Sequence, residues 1–81
     1  MLHLIEIRQN RLVDLQVPGK PRQERIKVAA GEVLQGKVRC YVDDLGWDRL
    51  IEKANVPLAD GTGTLLGFPC DAFSFIVQGK D

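Results

Sequence analysis

A single histidine, two cysteines and no apolar run longer than three residues set the first limits on this 81-residue chain. A membrane-spanning helix needs about 20 consecutive apolar residues, so none is expected. Residues 1–10 carry Glu6 and Arg8 where a secretory leader would need an apolar block, which points to a cytoplasmic protein with no membrane association. Zinc is held by about four ligands, and His3, Cys40 and Cys70 are too few and too scattered to supply them. No serine or cysteine has a histidine base near it in the chain, so acyl transfer is not expected either. The chain shows no internal repeat, no low-complexity segment and no linker, and 81 residues suffice for one compact core but not two. A single domain over 1–81 is the expectation.

Hydrophobic residues make up 44% and charged residues 27% of the chain, the proportions of a globular domain rather than a disordered one. Eleven basic and eleven acidic side chains cancel, which removes the strong positive field of a general nucleic-acid binder. Their distribution is uneven: residues 1–40 hold eight basic and four acidic side chains, residues 41–81 three and seven. All five aromatic residues, beginning with Tyr41, belong to the second half, and the larger part of the core is expected there. Cys40 and Cys70 lie 30 residues apart. A bridge between them would restrict the unfolded chain by roughly 3 to 4 kcal/mol, but without a leader two reduced thiols are expected.

Period-two alternation dominates the remainder. Ile5 and Ile7 alternate with Glu6 and Arg8, and Val13, Leu15 and Val17 with Asp14 and Gln16, which predicts a hairpin over residues 2–17 turning at Gln9-Asn10. Pro18-Gly19-Lys20-Pro21-Arg22 reads as a loop. Two strands follow, one around Ile26, Val28 and Ala30 and one around Val38, Cys40 and Val42, with Gly36 marking a bulge or bend before the second. Asp60-Gly61 is the turn of a further hairpin, and Phe73, Phe75 and Val77 form a last strand before a frayed Gly79-Lys80-Asp81. Gly61-Thr62-Gly63-Thr64 is flanked by strands on both sides, so it reads as a turn rather than a phosphate loop.

Residues 46–54 break the alternation. On a helical wheel Trp47, Leu50, Ile51 and Ala54 form one stripe, and Asp48, Arg49, Glu52 and Lys53 the opposite face, which predicts a short helix. Asp43 or Asp44 would cap it and Asn55 with Pro57 would stop it. The fold expected is mainly β: a small antiparallel barrel of about six strands with one short helix, closing on itself to remove free edges. The alternative is an α+β open sheet packed by that helix.

Gly67-Phe68-Pro69-Cys70-Asp71-Ala72-Phe73, followed by Phe75-Ile76, resembles the end of a Src-homology-3-like barrel, where a strand meets a proline, makes one helical turn and re-emerges as the last strand. The resemblance spans about twenty residues and implies barrel architecture. The Ala-Leu-Tyr-Asp-Tyr opening and paired tryptophans of the peptide-binding members are absent, and Ala72 stands where a groove tyrosine would be. Recognition of proline-rich peptides is therefore not implied.

Two surface groups remain as candidate sites. Asp43, Asp44, Asp48 and Glu52 with Trp47 form an acidic, aromatic segment suited to docking on a protein. Lys20, Arg22, Arg25 and Lys27, with Lys37 and Arg39 on the next strand, would form a basic patch if those strands pair, the natural ligand being a phosphate backbone. No aromatic lies among them to stack on bases. The acidic group lacks the alternating oxygen ligands and central glycine of a calcium loop. The expectation is a non-catalytic binding or accessory module with no metal or cofactor, acting on a protein partner or on itself; a nucleic-acid-binding barrel is the alternative.

Overall fold

The computed structural model describes residues 1–77; the expected fraying of Gly79, Lys80 and Asp81 lies outside the described residues. The chain is mainly β. Its strands are β1 (His3–Ile7), β2 (Arg11–Gln16), β3 (Glu24–Val28), β4 (Val33–Gly36), β5 (Arg39–Gly46), β6 (Arg49–Pro57), β7 (Thr64–Pro69) and β8 (Phe73–Phe75), with one 3-10 turn, Cys70–Ala72, before the last. They form two antiparallel sheets, ordered β4-β1-β8 and β3-β2-β7-β6-β5.

The alternation read from the sequence decides which faces meet. Ile5 and Ile7 of the smaller sheet are buried against Val13, Leu15, Leu65 and Phe68 of the larger one. Phe68 also lies against Phe73, ring centroids 5.3 Å apart. Two of the expected turns form for the expected reasons. Gly19 takes φ +80 after Pro18, and Lys20 N–H closes the turn on the Val17 carbonyl. Asp60 accepts the Thr62 N–H at 2.9 Å, and Gly61 has φ +80.

Three expectations are corrected. Residues 2–17 do not form a hairpin: β1 and β2 belong to different sheets. β1 is flanked on both sides by β4 and β8, and β2 by β3 and β7, so neither has an edge left for the other. Asn10 anchors the crossing by accepting the Ala30 N–H at 2.8 Å.

The helix over 46–54, with the α+β alternative built on it, is replaced by a β5–β6 hairpin. A helix of that length is marginal alone, whereas β6 exchanges backbone hydrogen bonds with a strand on each side. Asn55, expected to stop the helix, instead spans a bulge. Its side-chain oxygen accepts the N–H of Gly67, which takes φ +65 where the β6–β7 register slips.

The strands, eight among the described residues rather than about six, do not close into a cylinder. No ladder joins the two sheets among the described residues; an isolated bridge from Gly36 to Leu58 ties one corner. β4, unpredicted because four residues with one half-buried side chain carry little alternation, supplies that corner. β8 is only three residues long, and among the described residues no strand bridges the gap between it and β5.

The tied corner depends on close backbone approach. A Cβ at Gly36 would sit 2.6 Å from the Pro57 carbonyl oxygen and 2.8 Å from a Val56 methyl. Gly36→Ala is therefore expected to destabilise the fold by about 2 kcal/mol or more in chemical denaturation. Gly61→Ala, which meets nothing but keeps an unfavourable φ, is expected to cost about 1 kcal/mol. Equal losses would mean that the corner yields.

Candidate protein-interaction site

The acidic segment and Trp47 lie together on the β5–β6 hairpin. Gly46 pairs with Arg49, leaving Trp47 and Asp48 as a two-residue loop with φ +56 and +58. Both central residues of such a loop need positive φ to match the strand twist, which favours Asn-Gly and disfavours a bulky side chain. Asp44 supports the turn by accepting the Gly46 N–H at 2.9 Å, where the register shifts. The outcome is a tryptophan 95% exposed at the tip of a hairpin.

Cross-strand register sorts the remaining side chains into two faces. Cys40, Val42 and Asp44 stand opposite Ala54, Glu52 and Leu50 on the face that leads to the core. Tyr41 and Asp43 stand opposite Lys53 and Ile51 on the other. The four carboxylates are thus divided: Asp43 pairs with Lys53 at 3.0 Å, Asp44 holds the turn, Asp48 is in it, and Glu52 is exposed opposite Val42. Among the described residues no three His, Cys, Asp or Glu side chains form a metal cluster.

Sequence reasoning missed the apolar members of this arm. Leu50 is 65% exposed and Val42 56%, and Leu45 is exposed beside them. Inward of Val42, the hairpin and the β8 edge frame an open groove of about 440 Å³ lined by Cys40, Tyr41, Val42, Glu52, Cys70, Phe73 and Phe75. The fold thus brings the two cysteines to one wall as free thiols. Burial pushes the Cys70 thiol up to about 11, and the nearness of Cys40 adds to it, so Cys70 stays protonated at neutral pH. His3 packs edge-on against Phe75 at 5.1 Å, with its buried Nδ1 lacking a hydrogen-bond partner among the described residues. A signal for this groove existed in the sequence as the Phe73/Phe75 alternation, but nothing in it pairs that strand with Cys40.

The two halves of the basic group are not brought together. β3 and β5 are the opposite edges of the five-stranded sheet, with β2, β7 and β6 between them, so the pairing required for one patch is not made. Lys20 is held by Glu24 at 2.9 Å and Arg25 by Asp14 at 3.3 Å. Arg22 and Lys27 are exposed near them, Lys37 follows β4, and Arg39 opens β5.

Lys53 titrates above the ordinary lysine value because Asp43 accepts its hydrogen bond and attracts its charge. A raised folded-state value means that the contribution of the pair is complete below the unfolded lysine value and is lost as pH rises through the folded one, so neutral pH leaves it intact. Asp43→Asn is expected to move the Lys53 titration, followed by NMR at its ε-methylene, back toward the ordinary range. An unchanged titration would mean that the pair is not populated in solution.

Set beside protein families, curated proteins and solved structures, the chain matches none of them.

Proposed function

We propose that this domain is a non-catalytic protein-interaction module whose docking arm is the β5–β6 hairpin and whose anchor is Trp47. The observation that carries the reading is the conjunction at that residue: an almost fully exposed tryptophan in a backbone conformation that costs a bulky residue about 1 kcal/mol. Neither the fold nor the turn benefits from it. Burying about 200 Å² of indole in a partner pocket would return up to about 5 kcal/mol, well above that local cost. Leu45 and Leu50 widen the apolar tip, while Asp44 and Asp48 beside it favour a pocket with a basic rim.

The same proposal takes the domain as an architectural relative of the Src-homology-3-like barrels. In its support, β7 runs into Pro69, makes the single turn over Cys70–Ala72 and continues as β8. It also places the module in the cytoplasm, in keeping with two free thiols on one wall.

A photoreactive residue introduced at position 47 is expected to cross-link a partner in cells of the native host, whereas the same residue at Leu12, an exposed leucine of β2, is not. Added wild-type domain should compete, and Trp47→Gly should not. The glycine variant should melt no lower than wild type, because it relieves the positive φ. Equal cross-linking from both positions, or full competition by Trp47→Gly, would reject the reading.

A further inference from the structure

The five-stranded sheet ends in two edges of different character. At one, β3 presents Glu24, Arg25, Ile26, Lys27 and Val28; at the other, β5 presents Arg39 to Gly46 with β6 on one side only. An exposed edge is a template for another strand, and like charges set opposite each other are the usual protection against self-pairing. Two copies of one strand that pair antiparallel in a continuous sheet are related by a two-fold axis through a residue, and directly opposite residues share a face.

For β3, every such register overlapping at least three strand residues sets like charges together: Arg25 against Lys27, Arg25 against itself, or Lys27 against itself. β5 is different. Centred on Asp43 or Asp44 it would be repulsive, but centred on Tyr41 it sets Arg39 opposite Asp43 twice on one face and Cys40 opposite Val42 twice on the other. Within the strand, no other same-face register sets opposite charges together. Arg39 has no ion-pair partner among the described residues. Val42, more than half exposed, borders the groove whose far wall includes Phe75, itself 49% exposed.

We infer that two copies of this chain dimerise edge to edge through β5, in the register centred on Tyr41, to form one continuous sheet. Charge complementarity selects the register, and the apolar Cys40–Val42 row with Phe75 behind it supplies surface to be covered. This deepens the interaction reading of the hairpin and rests on it, with edge and tip assigned to different occupants: a second copy on β5, another protein on Trp47.

Sedimentation equilibrium of the full chain over a rising concentration series is expected to show the mass going from 9.0 kDa to twice that value. Arg39→Asp and Asp43→Arg should each weaken the dimer at least about tenfold, because each makes two attractive pairs repulsive, and the double exchange should recover most of the affinity. Asp43→Arg also breaks the Asp43–Lys53 pair within the monomer, so circular dichroism checks that each variant folds, and Arg39→Asp, which removes no ion pair found within the monomer, is the cleaner of the two single exchanges. Trp47→Gly should leave the dimer intact even where it abolishes partner cross-linking, which separates failure of this inference from failure of the docking reading. A wild-type chain that stays monomeric, a dimer indifferent to both single exchanges, a double exchange no better than the singles, or a dimer lost with Trp47 would each overturn it.

Discussion

β7 is the strand on which the other elements depend. It is central in the larger sheet, bonded to β2 on one side and β6 on the other, and its Leu65 and Phe68 have no solvent exposure. Burying each of those side chains is worth about 2 to 3 kcal/mol, but only while the ladders on both flanks satisfy the backbone that is buried with them. The Gly67 bulge lets the strand keep both partners although Asn55 on β6 interrupts the register. From β7 the chain passes through Pro69 and the 3-10 turn directly into β8. One continuous stretch thus joins the two sheets and supplies aromatic rings to the core between them.

The corner at Gly36 and the open side at β5 and β8 are two outcomes of the same accounting. At the corner, Lys37 N–H reaches the Pro57 carbonyl and Ala59 N–H the Gln35 carbonyl, so backbone groups beyond the last paired residues are satisfied at close range. Only a glycine allows that approach. Across the molecule β8 stops after three residues while β5 runs for eight. The mismatch in length leaves the groove open and, among the described residues, the β5 edge unpaired.

The hairpin beyond the sheet is held mainly by its own ladder, its bulge and the Asp43–Lys53 pair, since its distal side chains are exposed. Few core contacts means little selection by packing at the tip. A tryptophan with positive φ is unfavourable there, and the proposed docking role is the reading that accounts for it. The contrast between β3, guarded by its own charges, and β5, where one register is complementary, follows the same logic: edges are where a sequence specifies what must and must not bind.

Much of the fold was legible in the sequence. Alternation located Ile5, Ile7, Val13 and Leu15 on buried faces, and Pro18-Gly19 and Asp60-Gly61 marked turns, because pleat period and turn conformation are local properties of a few adjacent residues. Trp47, Asp43, Asp44, Asp48 and Glu52 fall close together in the sequence, so their place on one segment was legible, though not that the segment is a hairpin. Which strands pair, and whether 46–54 is helix or hairpin, was settled only by the tertiary structure. A β-ladder joins residues distant in sequence, and a strand's partner depends on which edges the rest of the chain has already occupied.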